Sequence, residues 1–372
     1  MKYPDDFIGK VINNDCLEVL EGIPNNSVDA IITDPPAGIA FMGKKWDKFR
    51  NRNEFIIFIQ QVMTECYRVL KPGAHAIVWA LPKTSHWTAM GVENAGFEIR
   101  DVIHHIFTSG FPKSLNIEKA LQKRNASLEV AEKFKGMGSS LKPACEHWIL
   151  ARKPLSEKTI VENELKWETG GIDIDGTRIP ITNSYEKKHL EDIARGQENA
   201  TNGRFFGGKG ISKASSIKQT GRFPANVIVQ DNALDDGEMV KDDIKNIFTS
   251  KEMKMVIDKI SQDIDSKSRY FDIDIWAEKQ GILQISKTSR GEKGKGLKGF
   301  KNTHPTVKPI KLLSWLIKLV SKEGDIVLDP FIGSGTTAVA CILLKRNFIG
   351  IEKEEDYCKI AEARINRYEG AR

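Results

Sequence analysis

The stretch from Asp325 to Glu352 limits the folds open to this chain more than any other. Asp325-Ile326-Val327-Leu328-Asp329 is a short apolar strand ending in an acid. It runs into Pro330-Phe331-Ile332-Gly333-Ser334-Gly335-Thr336-Thr337 and a helix over Ala338 to Lys345. A second strand, Phe348 to Ile351, then ends at Glu352. Strand, glycine turn, helix, strand and acid in this register make a βαβ unit. Its glycines let a nucleotide-like ligand approach bare backbone, and the acid about 20 residues on accepts from ribose hydroxyls.

The first third of the chain alternates in the same way. Strands are expected at Ile8 to Ile12, Val28 to Ile32, Ala74 to Ala80 and Phe97 to Ile106. Between them, apolar residues recur at helical spacing from Asn53 to Leu70, closed by Lys71-Pro72-Gly73, and again from Trp87 to Ala95, closed by Gly96. A helix begins at Leu17, with Asp15 placed to cap it. The pattern predicts a parallel sheet covered on both faces.

The strand at Val28 ends abruptly in Asp34-Pro35-Pro36-Ala37. Each proline fixes its own φ, removes a donor and holds the preceding residue extended. The corner therefore presents one carboxylate and two free carbonyls rigidly. Taken alone it would read as a Pro-rich turn. The loop that follows, Gly38 to Asp47, carries Phe41 and Trp46 and is too rich in glycine and aromatics to be a plain connector.

Composition narrows the class. The chain has 372 residues, 40% hydrophobic and 28% charged, as in a globular protein with one large α/β domain and an insertion, or several smaller ones. A net charge of +6 permits a polyanionic partner. Five scattered cysteines with no CxxC pair argue against a disulfide framework or a zinc site and fit a reducing, cytoplasmic setting. Cys145 with His147, and His104 with His105, are read as structural or surface residues, because neither pair has a second pair at ligand spacing. No metal is expected. The N-terminus lacks the apolar core of a signal peptide, and the most apolar run, Leu312 to Val320, is broken by Lys318, so no membrane association is expected.

Residues 156–290 change character, with turn clusters, scattered basic residues and an acidic helical run from Asp231 to Asp265. They read as an inserted lobe rather than more of the sheet. Lys287 to Lys301 is a cationic, glycine-rich tract suited to a linker or to tracking phosphates. The expected organisation is a half-domain over 1–155, an insertion over 156–290, and a linker with the second half-domain over 291–372.

Together these pieces resemble the beta group of amino-directed DNA methyltransferases, in which a catalytic Asp/Asn/Ser-Pro-Pro-aromatic motif precedes the cofactor loop. Asp34 to Ala37 and Asp329 to Thr336 match those two motifs, and Thr303-His304-Pro305-Thr306-Val307-Lys308-Pro309 matches a third. The resemblance covers roughly 1–155 and 300–372. It implies a Rossmann-like methyltransferase fold, a mixed but mostly parallel sheet with circularly permuted motif order, and an inserted target-recognition region at 156–290.

The resemblance also implies S-adenosylmethionine as cofactor, bound by Asp15, Cys16, Asp34, His304, Thr306, Lys308, Asp329, Phe331, Gly333, Ser334, Gly335, Thr336 and Glu352. Double-stranded DNA is the implied substrate. A homodimer and a cognate restriction endonuclease are the protein partners it allows, in a bacterial, archaeal or phage-encoded cytoplasmic enzyme. Catalysis would fall to Asp34, Pro35 and Pro36: the Asp34 carboxylate and the Pro35 carbonyl accept the hydrogens of an exocyclic amine on a flipped base, and the two prolines hold them rigid. Asp at the first motif position favours adenine N6 over cytosine N4. Ala37 departs from the family aromatic. Phe41 and Trp46 are the nearest residues able to stack in its place; otherwise the chain is a catalytically weak DNA-binding relative or carries an engineered alanine. An NAD-dependent oxidoreductase would share the glycine turn but leaves Asp-Pro-Pro unexplained.

Overall fold

The structure, a computed structural model, describes residues 1–107, 110, 114–181, 221–230, 271–282, 297, 302–304 and 306–369. The expected acidic helix over 231–265 and nearly all of the basic tract over 287–301 lie outside them.

Eight strands form one sheet: β1 (Lys10–Asn13), β2 (Val28–Thr33), β3 (Leu70–Ala80), β4 (Glu98–Ile106), β5 (Cys145–Arg152), β6 (Val227–Val229), β7 (Ile326–Asp329) and β8 (Asn347–Glu352). Their order is β1-β8-β7-β2-β3-β5-β4-β6. Only β5 runs against its neighbours; every other pairing is parallel. The expected mixed, mostly parallel sheet with helices on both faces is thus present, with the strand order permuted along the chain.

Along β3, Ile77 and Trp79 face one core while Ala76 and Val78 face the other. That two-residue alternation, apolar on both sides, is why the central strands read as continuous hydrophobic runs. Helices α1 (Cys16–Glu21), α2 (Arg52–Val69) and α3 (Ser85–Asn94) cover one face. The short α4 (Ile117–Lys123) and α5 (Leu128–Glu132) precede β5, and α6 (Ile160–Trp167) follows it. Helices α7 (Ile273–Lys279), α8 (Ile310–Val320) and α9 (Thr336–Leu343) cover the other face. The closing helix α10 (Glu355–Glu369) packs against α9 and β1.

Three expectations shift. Leu70 already pairs with Val28, so β3 begins at the helix end and the Lys71-Pro72-Gly73 stop becomes a bulge between the Val28 and Ala30 pairings, with Gly73 at φ +80°. Strands β3 and β4 are co-directional but not adjacent, because β5 inserts antiparallel between them. The span 156–290 is not wholly apart from the sheet. Its β6 pairs with β4, and Ile179, Ile228, Ile273, Trp276 and Ile282 lie in the main core. Trp276 donates to the Gly176 carbonyl at 2.8 Å, tying two described segments of that span together. Local composition could not show that the apolar residues of this span complete a distant face of the sheet.

Candidate active site

Strands β2 and β7 are adjacent, but the connections leaving them go to opposite faces of the sheet: β2 leads into α2, β7 into α9. A crevice opens at the carboxyl ends of the strands at such a point. Here it is a cavity of about 800 Å³. All eight strands contribute near one end: Asn14 and Asp15 after β1, Asp34 after β2, Trp79 and Leu81 at β3, His105 at β4, Glu146 at β5, Gln230 after β6, Asp329 at β7 and Glu352 at β8.

The Asp-Pro-Pro corner lies beside the glycine loop. Thr33 Oγ1 donates to Asp329 Oδ1 at 2.9 Å, joining the two strand ends directly. Asp329 also accepts from Phe331 N at 3.1 Å and from Thr337 Oγ1 at 2.5 Å. Its carboxyl is pushed up to about 7 by burial, which these donors oppose. Gly333 is at φ +53°, and a Cβ there would meet His304 Nε2 at 2.7 Å. The loop must therefore carry glycine at that point.

Glu352 accepts from Gly333 N at 3.0 Å and Glu354 N at 2.8 Å, and burial raises its carboxyl. Asp15 caps α1 through Leu17 N at 3.0 Å and pairs with Lys353 at 2.9 Å. Phe331 meets Phe58 with ring centres 5.9 Å apart. His304 packs edge-on against Tyr357 at 4.5 Å. Cys16, Thr306, Ser334 and Thr336 also line this half. The hydroxyls of Ser334 and Thr336 accept from buried Arg364 Nη1 at 2.9 and 3.0 Å, which fastens the loop to α10. Among the expected cofactor residues, Gly335 alone does not line the cavity. A Cβ there would strike Ala361, so it serves helix packing.

Lys308, one of the expected cofactor residues, reaches the Asp-Pro-Pro corner. Its ammonium is 2.8 Å from Asp34 Oδ2 and 3.9 Å above the Trp79 ring centre. Burial raises the Asp34 carboxyl, Lys308 opposes that rise, and Glu146 adds to it. Glu146 is the second carboxylate of the corner. Against the desolvation of burial, Lys308, then His105 and Trp79, hold it down at about 2. His105 bridges onward, 3.7 Å from Glu146 and 3.1 Å from Gln230 Oε1. Nothing in the local sequence marked Glu146, His105 or Gln230. They meet Asp34 only through the β3-β5-β4-β6 order.

Phe41 and Trp46 both line the cavity beside Ala37. Buried Asp47 organises their loop, accepting from Gly38 N at 2.7 Å, Ile39 N at 3.2 Å and Phe41 N at 2.7 Å. Thr84 Oγ1 holds the Ala37 carbonyl at 2.9 Å. The spacing from Gly38 to Asp47 is the signal that could have found Asp47: one acid closing a glycine- and aromatic-rich loop.

A permuted, mostly parallel sheet with a rigid Asp-Pro-Pro corner beside a glycine loop defines an amino-methyltransferase type of architecture. The chain belongs to the DNA methylase family whose N6/N4 methyltransferase profile matches residues 28–363.

Individual relatives are more distant or partial. The type II methyltransferase M2.DpnII of Streptococcus pneumoniae is 42% identical over 102 residues, 27% of this chain and 38% of that protein. The chain thus spans well under half of that relative's length. M.HinfI of Haemophilus influenzae is 24% identical over 97% of this chain and 69% of its own. Among solved structures, the PvuII DNA methyltransferase (cytosine-N4-specific) is 14% identical with a TM-score of 0.48, over 96% of this chain and 88% of that one.

Proposed function

We propose that this chain transfers a methyl group from S-adenosylmethionine to the exocyclic N6 amine of adenine in duplex DNA. The observation that carries the reading is the Asp34 carboxylate sharing one cavity with the Asp329–Thr336 loop, linked through Thr33. The cofactor half fits the proposed group. Gly333 leaves a cradle that a Cβ would fill, Asp15 and Glu352 supply hydroxyl acceptors, and Phe58 with Phe331 gives a flat apolar wall. When bound, the cofactor supplies an electrophilic sulfonium methyl.

The chain's own residues prepare the nucleophile. An exocyclic base amine is weak because its lone pair is delocalised into the ring. The Asp34 carboxylate and the Pro35 carbonyl accept its two hydrogens and draw the nitrogen towards tetrahedral geometry, which frees the lone pair. This is catalysis by positioning and fixed charge. Lys308 opposes the rise that burial imposes on the Asp34 carboxyl and so favours its ionised form. Two prolines hold the acceptors still.

A base in a duplex must leave the stack to reach this depth, and flipped bases are held by stacking. Phe41 and Trp46, on the loop that Asp47 braces, take the role that Ala37 cannot. Adenine rather than cytosine is favoured by Asp at the first motif position. The region 156–290 would supply target recognition, reading base edges in the groove. The type II methyltransferase relatives support a restriction–modification setting. Among the described residues, no helix is long and apolar enough to cross a membrane.

Methylation-sensitive sequencing of DNA from cells expressing the protein tests the reading. It should show N6-methyladenine at one recurring sequence. N4-methylcytosine would move the target to cytosine, and no methylation in DNA that the protein binds would make it a binding relative.

A further inference from the structure

Sequence spacing separates two suggestive pairs, Cys145 with His147 and His104 with His105. The sheet brings half of each together. In the antiparallel β4–β5 ladder, His104 lies opposite His147 and Ile106 opposite Cys145. Side chains alternate across a strand, so His104, His147 and Cys145 emerge on one face while His105 and Glu146 emerge on the other, towards the site described above, whose lining Cys145 at the strand end also joins. The candidate ligand atoms of the three all lie within 4.8 Å of one another. Cys145 Sγ is 3.9 Å from His104 Nδ1, and the two imidazole rings are perpendicular with centres 4.8 Å apart.

We propose that His104, Cys145 and His147 form a three-ligand site for a borderline-soft divalent cation, Zn2+ above all. Zinc takes imidazole at about 2.0–2.1 Å and thiolate at about 2.3 Å, so ligand atoms of a tetrahedral ion stand about 3.3–3.8 Å apart. The observed spacing needs only a small contraction to reach that. Perpendicular rings at this distance leave each imidazole able to turn one nitrogen towards a separate vertex of a tetrahedron. A fourth position is left to solvent.

A second observation points the same way. Ser85 Oγ lies 3.0 Å from His147 Nδ1. With Nδ1 engaged there, Nε2 is the nitrogen left to coordinate. A metal-bound histidine is characteristically oriented in this way by a partner on its other nitrogen. Two paired strands and the first residue of α3 supply all four residues, so the site is held by rigid elements rather than loops. Cys145 is also the accessible thiol: Cys16, Cys66, Cys341 and Cys358 are buried, Cys145 only partly so. Binding converts the Cys145 thiol to thiolate, and its proton leaves to solvent.

The test uses the full-length protein without a polyhistidine tag, stripped with chelator and titrated with Co2+ and then Zn2+. One equivalent of Co2+ should give a thiolate-to-cobalt charge-transfer band that one equivalent of Zn2+ abolishes. Cys145→Ser should remove the band, and Ser85→Ala should weaken Zn2+ binding about tenfold while keeping it. In the unaltered protein, one equivalent of Zn2+ should slow alkylation of Cys145 at least about tenfold by mass spectrometry, which decides the matter even if a variant folds poorly. No charge-transfer band, a band that survives Cys145→Ser, or alkylation indifferent to Zn2+ would each overturn the site.

Discussion

Lys308 and Asp34, 274 positions apart in the chain, meet at 2.8 Å with the Trp79 ring beneath the ammonium. The strand end that carries the acceptor and the segment that carries its counter-charge belong to opposite halves of the permuted order. Their pairing opposes the rise that burial imposes on the Asp34 carboxyl, the group on which the proposed methyl transfer depends.

Lys308→Met should therefore act on the pH profile. Losing the cation raises the Asp34 carboxyl further, because burial and Glu146 both already push it up. Ionised Asp34 then appears only at higher pH. The acid limb of kcat/KM should move to higher pH, with partial recovery of activity on the alkaline side. A variant with a uniformly lowered but unmoved profile would contradict this role.

Phe41→Ala and Trp46→Ala should each weaken DNA binding roughly 5- to 150-fold, the loss of one stacked base contact. Asp47→Ala should do comparable damage without touching the base, since it frees three backbone donors that shape the loop. Fluorescence of a 2-aminopurine target reports flipping directly. Unchanged binding and flipping in both aromatic variants would show that something else replaces the missing motif aromatic.

Glu352→Gln should weaken S-adenosylmethionine binding about tenfold, the worth of one charge-assisted hydrogen bond. Calorimetry on wild type and variant measures it. Gly333 N and Glu354 N bond to different oxygens of Glu352, so the amide oxygen keeps one of these bonds and the other is lost with the charge.

Asp329 gives a stability signature. Its carboxyl titrates at about 7 in the folded protein against an ordinary 3.8. The stability it contributes is fully present below 3.8 and lost as pH rises through about 7, by up to about 4 kcal/mol for a group only 3% exposed. Denaturant unfolding of wild type and Asp329→Asn at about pH 4 and about pH 8 should show wild type losing ground to the variant as pH rises. A constant difference would contradict the assignment.

Much of this was legible in the sequence, for reasons particular to each element. The βαβ unit from β7 to β8 is local: apolar strands, a glycine turn and an acid in register, all within 28 positions. Asp34-Pro35-Pro36 was legible because prolines restrict the backbone by themselves. The partners of Asp34 were not. Glu146 and His105 depend on β5 slotting antiparallel between β3 and β4, and Gln230 on β6 joining from a span that read as separate. The grouping of His104 with Cys145 and His147 was hidden for the same reason: register across strands carries no trace in the spacing along them. Lys308 was legible as a lining residue through its motif, but its pairing with Asp34 was not, since a motif gives neighbourhood and not the direction of a long side chain.

The most direct test of the account is transfer of labelled methyl from S-adenosylmethionine to duplex DNA by wild type and Asp34→Ala, with cofactor binding measured on both. The account predicts label in N6-methyladenine for wild type. It predicts at least about a 10²–10³-fold loss for the variant, with cofactor affinity kept. Wild-type turnover that Asp34→Ala retains would contradict it.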